Sequence, residues 1–181
     1  MNILGISCSP RLEGNTEIMV RESLNAAREN GAEVELVTLA GKNIMPCDSC
    51  LSCDKTKQCK LNDDMQDIYT KLLAANGIIF GTPLYYQTVS AQAKALIDRT
   101  FLFRQERNLR NKLAAVAVAT GGGDAVNAVD VFKMFFNIQR MKIAGIAVGK
   151  GSYKKGSVSK DIQGIMGARN LGKRISDLLK I

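Results

Sequence analysis

The chain alternates short apolar runs with longer amphipathic stretches from one end to the other. Four apolar runs have the character of strands: Asn2–Ser7, Gly77–Phe80, Leu113–Ala119 and Ile143–Val148. A fifth strand is predicted at Glu33–Leu39, where charged and apolar residues alternate as in a strand near the edge of a sheet. Five stretches carry apolar side chains at helical spacing: Thr16–Asn30, Asp63–Asn76, Ser90–Leu102, Ala125–Arg140 and Asp161–Leu179. This order predicts an α/β fold with a five-stranded parallel sheet and helices on both faces. We expect residues 1–181 to form one domain.

In such sheets, ligands bind beyond the carboxyl ends of the strands. Three loops at those positions have unusual compositions: Cys8–Asn15, Gly81–Tyr86 and Thr120–Asp124. A cysteine-rich loop, about residues 42–61, follows the second strand. We therefore expect the chemistry of the chain to be concentrated at this edge of the sheet.

The first of these loops has the side chains of a phosphate site. It lacks the G-x-G-x-x-G pattern of dinucleotide-binding folds. The hydroxyls of Ser9 and Thr16, the amide of Asn15 and the N–H groups at the start of the next helix suit a phosphate monoester instead. Arg11 can add charge-assisted hydrogen bonds to the phosphate. The alternative is that this loop is a capped turn that binds no ligand. We expect Cys8 to be a buried packing residue.

Four of the five cysteines form a C-x2-C-x2-C-x5-C run: Cys47, Cys50, Cys53 and Cys59. Four thiolates at such spacings are typical of iron–sulfur clusters, and three successive cysteines at two-residue spacing are less typical of zinc sites. A zinc site and a thiol–disulfide redox loop remain alternatives. The chain has no histidine, which excludes histidine ligands and a histidine general base.

Composition limits the location and partners of the chain. No apolar run of about 18 residues is present, and the N-terminus does not resemble a secretory signal. We therefore expect a cytoplasmic protein without a membrane span. Residues 1–90 carry 8 basic and 11 acidic side chains, whereas residues 91–181 carry 17 and 6. The basic run Lys94–Lys112 is either a solvated face or attractive to an anionic partner. No nucleic-acid motif accompanies it.

Several segments resemble a known family. Ser9-Pro10-Arg11 followed by Gly14-Asn15-Thr16 is similar to the FMN-phosphate loop of the flavodoxin-like NADPH-dependent FMN reductases. Gly81–Tyr86 and Ser90–Arg99 resemble the second flavin loop and helix of that superfamily. With the cysteine run added, the chain resembles an iron–sulfur flavoprotein along nearly its whole length. The resemblance implies a flavodoxin-like doubly wound sheet in the order 2-1-3-4-5.

The resemblance also implies two cofactors and their ligands. FMN would be bound by Ser9, Arg11, Asn15, Thr16, Thr82, Pro83, Leu84, Tyr85, Tyr86, Thr120, Gly121 and Gly122. One [4Fe–4S] cluster would be bound by Cys47, Cys50, Cys53 and Cys59. No protein side chain is expected to act as a catalyst, since the cofactors carry the chemistry.

The implied function is an oxidoreductase that carries electrons between the cluster and FMN. The family is associated with ferredoxin as donor, with dioxygen or hydrogen peroxide as acceptor, and with homodimers or tetramers. One alternative is an NAD(P)H-dependent FMN or quinone reductase without a functional cluster. Another is a zinc-stabilised binding module without redox turnover.

Overall fold

The computed structural model describes residues 1–181 and contains one five-stranded sheet. The strands are β1 (Asn2–Ser7), β2 (Glu33–Thr38), β3 (Gly77–Pro83), β4 (Leu113–Thr120) and β5 (Lys142–Lys150). All pairs are parallel, and the order is β2-β1-β3-β4-β5. The predicted doubly wound α/β fold and its strand order are therefore confirmed. Every residue of β4 is buried, as expected for a strand covered on both faces.

Six α-helices accompany the sheet: α1 (Asn15–Glu29), α2 (Ser52–Thr56), α3 (Met65–Ala74), α4 (Ala91–Arg99), α5 (Val126–Gln139) and α6 (Ile162–Leu178). Helix α2 lies inside the cysteine segment and is missing from the prediction, because five residues are too few to show a helical period. Helix α4 passes into a 3-10 turn at Thr100–Phe103, and a second 3-10 turn spans Ser157–Lys160. Ser90 caps α4 as its sequence suggests, since its hydroxyl accepts a hydrogen bond from the N–H of Ala93 at 3.2 Å.

The core has one apolar layer on each face of the sheet. On one face, Phe80 of β3 packs against three phenylalanines of α5, with ring centroids 5.5–5.7 Å apart. On the other face, α1 and α6 pack on the small side chains of β4. Gly81 lies beneath α1, where an added Cβ would meet the Val20 side chain at 2.3 Å. This close packing holds the start of α1 against the carboxyl end of β3.

None of the helices combines the length and the apolar character needed to cross a membrane.

Candidate functional site

A cavity lies at the carboxyl ends of β1, β3, β4 and β5. Nine of the twelve residues predicted to bind FMN line it: Ser9, Arg11, Asn15, Thr16, Pro83, Leu84, Tyr85, Thr120 and Gly121. Five further residues complete its wall: Gly14, Ala119, Ser152, Tyr153 and Lys155. Thr82, Tyr86 and Gly122 do not line the cavity. The three loops selected from the sequence thus meet at one place.

The start of α1 has the features of an anion site. Its N-cap residue is Gly14, which provides no side-chain hydrogen bond to the first turn. The free N–H groups there and the helix dipole both favour a negative charge. Ser9 is buried, and its hydroxyl accepts a hydrogen bond from the N–H of Arg11 at 3.1 Å, which shapes the loop around this end of the helix.

The loop after β5 closes the cavity and was missed by the sequence analysis. The Asn15 amide donates to the carbonyl of Ser152 at 2.9 Å, and Arg11 Nη1 donates to the carbonyl of Tyr153 at 2.8 Å. Lys155 adds a cation to the cavity wall. The composition of residues Gly151–Gly156 could have indicated this loop, because glycine, serine and lysine follow the carboxyl end of the last strand there.

The loop after β3 forms a tight hairpin. Tyr85 and Thr88 exchange two backbone hydrogen bonds of 3.0 Å, and the two residues between them, Tyr86 and Gln87, have φ of 48° and 62°. Such values cost of order 1 kcal/mol or more for a non-glycine residue. Tyr86 is fully exposed at the tip. The turn therefore holds Tyr85 at the cavity wall while directing Tyr86 into solvent.

Two threonines shape the neighbouring loops from within. Thr82 is buried, and its hydroxyl accepts from the N–H of Ser90 at 3.1 Å and donates to the carbonyl of Pro83 at 3.0 Å. The Thr120 hydroxyl donates to the carbonyl of Gly123 at 2.9 Å and accepts from the N–H of Gly122 at 3.1 Å. Gly122 has φ of 121°, which few other residues adopt. These contacts give the two loops defined shapes beside the cavity.

A second cavity is lined by Cys47, Cys50, Cys53 and Cys59 together. None of these cysteines forms a disulfide. No group of three or more cysteine or carboxylate side chains is arranged to hold a single metal ion. In a [4Fe–4S] cluster each cysteine binds a different iron, so the thiolates surround a volume rather than a point. Four soft donors around one cavity are the donor set that such a cluster requires.

Cys8 and Cys53 have perturbed thiols. Complete burial raises the pKa of Cys8, whose Sγ lies against the carbonyl of Ile6 at 3.9 Å. This agrees with the expected packing role of that residue. Partial desolvation and the nearby Asp54 carboxylate raise the pKa of Cys53. A bound cation would oppose this shift, because it favours the thiolate.

A buried ion pair stands beside the cysteine cavity. Arg99 and Asp63 have side chains that are 1% and 0% exposed, and Arg99 Nη1 and Nη2 donate to the two carboxylate oxygens at 2.5 and 3.0 Å. Asp63 also accepts from the N–H groups of Met45 at 2.8 Å and Met65 at 3.1 Å. Burial acts to raise the pKa of Asp63, but these donors outweigh it and lower the pKa. The sequence placed Arg99 in an exposed basic run and gave no sign of this pairing.

The two cavities share no residue and lie near opposite ends of α4. The first is lined by Pro83 and Leu84, shortly before Ser90, whereas the second is lined by Arg99 and Leu102. Helix α4 has nine residues and is about 13 Å long. The cysteine loop leaves the sheet at the expected edge, but its length carries the cysteines away from that edge. The expected concentration of all the chemistry at one edge is therefore only partly met.

Comparison with known proteins places the chain in a family. A family model described as NADPH-dependent FMN reductase matches residues 1–155. An iron–sulfur flavoprotein of Methanocaldococcus jannaschii is 40% identical, and the alignment covers 100% of this chain and 98% of that protein. An iron–sulfur flavoprotein of Methanosarcina thermophila is 32% identical, with coverage of 100% and 96%.

Among solved structures, a flavone reductase superposes with a TM-score of 0.80 at 22% identity, over 99% of this chain and 63% of that one. At that identity the superposition supports the fold alone. The sequence matches and the loops that meet at the strand ends agree on flavin redox chemistry. The chain is an oxidoreductase of the NADPH-dependent FMN reductase superfamily, and within it belongs to the iron–sulfur flavoprotein family.

Proposed function

We propose that the chain binds FMN in the cavity at the strand ends and one [4Fe–4S] cluster between the four cysteines, and that it transfers electrons between them. The observation that carries the proposal is the convergence of Cys47, Cys50, Cys53 and Cys59 on one cavity. Bound FMN exchanges one or two electrons and a cluster exchanges one, so the pair converts single-electron delivery into two-electron reduction.

The residues of the first cavity have distinct roles in this proposal. Ser9, Asn15 and the N–H groups at the start of α1 receive the phosphate, and Arg11 and Lys155 balance its charge. Tyr85 would cover part of one ring face of the bound flavin. The backbone around Gly121 would provide N–H donors to the pyrimidine edge of the ring, and such donors stabilise negative charge on a reduced flavin.

We propose that the protein acts as a homo-oligomer, in which a second copy covers a groove between α4 and α5. Met134 and Ile138 are 65% and 66% exposed on α5, and Cys47 lines the same groove. This exposed apolar groove lies next to the proposed cluster site, whereas the flavin cavity lies near the other end of α4. Both features favour electron transfer between protomers. We expect a homodimer or homotetramer, as the family resemblance implies.

The groove proposal is tested by the mass of the particle in solution. Replacing Met134 and Ile138 together by lysine should reduce the mass measured by light scattering to that of one chain. Asn127→Lys, an exposed change on α5 outside the groove, should leave it unchanged. An unchanged mass in the double variant would place the interface elsewhere.

We propose ferredoxin as the electron donor and dioxygen or hydrogen peroxide as the electron acceptor. Either acceptor takes up two electrons and two protons. The excess of basic side chains in residues 91–181 supports an acidic partner. The two bases at the groove rim are already paired, Lys94 with Asp98 and Arg104 with Asp54. The attraction to an acidic partner therefore comes from the net positive charge of the surface and not from these two side chains. Clustered cysteines that bind a cofactor and form no disulfide fit a reducing cytoplasm.

The electron route is tested by stopped-flow mixing of reduced ferredoxin with the anaerobic holoprotein. The flavin absorbance should bleach in the wild type and should persist in Cys50→Ser, which retains FMN but loses a cluster ligand. Equal bleaching in both proteins would show that electrons reach the flavin without the full set of four cysteine ligands.

The second candidate is NADPH oxidation, which the description of the matching family model favours. Mixing the holoprotein with NADPH in place of ferredoxin discriminates between the two. Rapid bleaching that is unchanged in Cys50→Ser would establish a nicotinamide-dependent reductase, whereas an unreactive flavin would support ferredoxin.

A further inference from the structure

We propose that Arg99 is a positioning residue of the cysteine loop, which it holds at both ends while donating its remaining N–H to a sulfur atom of the bound cluster. The second half of this inference rests on the proposed cluster. The first half concerns the protein alone and is testable without it.

Arg99 reaches the backbone on both sides of the cysteine run. Its Nη1 donates to the carbonyl of Met45 at 2.8 Å, two residues before Cys47. Its Nη2 lies 3.4 Å from the carbonyl of Leu61, two residues after Cys59. One guanidinium therefore closes the neck of the loop that contains all four cysteines.

Asp63 fixes the guanidinium in this position. The carboxylate accepts one hydrogen bond from each terminal nitrogen and also binds the N–H of Met45. The main-chain carbonyl of Arg99 accepts from the Tyr69 hydroxyl at 2.9 Å. A planar, bidentate arrangement of this kind requires arginine, because the lysine ammonium lacks the paired donors.

One donor of Arg99 has no acceptor. The Nε atom is buried and makes no hydrogen bond, although Arg99 is part of the wall of the cysteine cavity. A buried N–H without an acceptor destabilises the protein, so such groups call for an explanation. A sulfur atom of the cluster supplies the missing acceptor. Hydrogen bonds to the sulfurs are among the factors that set cluster potentials, and a cationic donor favours the more negative, reduced state.

The test compares Arg99→Lys with Arg104→Lys in the anaerobically purified holoprotein. Arg104 is exposed and paired with Asp54 of the cysteine segment, so its replacement makes the same chemical change nearby without touching the neck of the loop. FMN per chain reports folding, because the flavin cavity does not include either arginine. Iron and sulfide per chain report the cluster, and redox titration reports its potential.

In Arg99→Lys we expect FMN content to be retained and the cluster to become harder to reduce. At a fixed ambient potential the ratio of reduced to oxidised cluster should fall at least tenfold, which is ~59 mV for a one-electron couple. We also expect amide hydrogen exchange of residues 43–61 to accelerate at least tenfold. Arg104→Lys should change neither quantity. Wild-type potential and exchange in Arg99→Lys would overturn the inference.

Two further outcomes separate this inference from the proposed function. A wild-type protein without iron would contradict the cluster, while faster exchange in Arg99→Lys would still establish the positioning role. If Arg99→Lys lacks FMN because it does not fold, Asp63→Asn replaces it in the exchange measurement. That variant keeps every donor of Arg99 but removes the carboxylate, and unchanged exchange of residues 43–61 in it would contradict the positioning role.

Discussion

The side chain of Asn15 binds the backbone of Val158, whose N–H donates to Asn15 Oδ1 at 3.2 Å. The same amide donates to the Ser157 hydroxyl at 3.0 Å. These contacts join the first residue of α1 to the loop that follows the last strand. Gly151 permits this approach, because a Cβ there would lie 2.9 Å from the Asn15 amide nitrogen. The wall of this cavity is therefore built from both ends of the sequence, and Lys155 is part of it.

Replacing Lys155 by glutamine should weaken FMN binding about tenfold, since a charge-assisted contact to phosphate contributes roughly 1.5 kcal/mol. Isothermal titration of the FMN-free protein measures the effect. Lys154→Gln, the adjacent change outside the cavity wall, should bind FMN as the wild type does. Riboflavin, which lacks the phosphate, should bind the wild type and Lys155→Gln equally. Equal losses in the two lysine variants would mean that only net charge matters.

Two of the three glycines in helix α6 should have opposite effects on stability when replaced by alanine. A Cβ at Gly172 would lie 1.8 Å from the carbonyl oxygen of Ser23 in α1, whereas a Cβ at Gly167 would meet only the Ala147 Cβ at 3.9 Å. Gly172→Ala should lower the free energy of unfolding by about 1–3 kcal/mol, because the backbones of α1 and α6 must separate. Gly167→Ala should raise it by about 0.5–1 kcal/mol through helix propensity. Urea unfolding distinguishes them, and equal effects would contradict the close contact between the helices.

Asp161 should make stability depend on pH. Its carboxylate caps α6 by accepting from the N–H of Gly164 at 3.1 Å and also accepts from the N–H of Lys150 at 2.6 Å, which lowers its pKa. The stabilisation is therefore complete above the unfolded pKa of about 3.9 and is lost as pH falls through the lower folded value.

Two substitutions separate the cap from the charge. Asp161→Ala should reduce the free energy of unfolding by about 1 kcal/mol at pH 7. Asp161→Asn keeps an acceptor and should match the wild type more closely at pH 7, but should lack this residue's share of the acid dependence. Thermal unfolding at a series of pH values measures both. The assignment fails if Asp161→Asn and the wild type lose stability in parallel as the pH falls.

The sheet and most of the flavin cavity were predictable because they depend on local signals. Apolar periodicity identifies the strands, and turn residues after β1, β3 and β4 identify the loops that meet at their ends. Lys155 was not predicted, because it lies in the loop after β5, outside the three predicted cofactor loops. The pairing of Arg99 with Asp63 could not be predicted, since it depends on how a loop without periodicity folds back on α3 and α4. Charge alone made Arg99 resemble an exposed residue.

One chain should hold both a flavin and a four-iron cluster. The most direct test is the visible spectrum of protein purified without oxygen, with FMN, iron and sulfide quantified per chain. We predict about one FMN, four iron and four sulfide per chain. The broad absorbance of the cluster should disappear in Cys50→Ser but persist in Cys8→Ala, a change at the buried cysteine outside the cavity. Protein that contains FMN but neither iron nor sulfide, or that contains stoichiometric zinc instead, would contradict it.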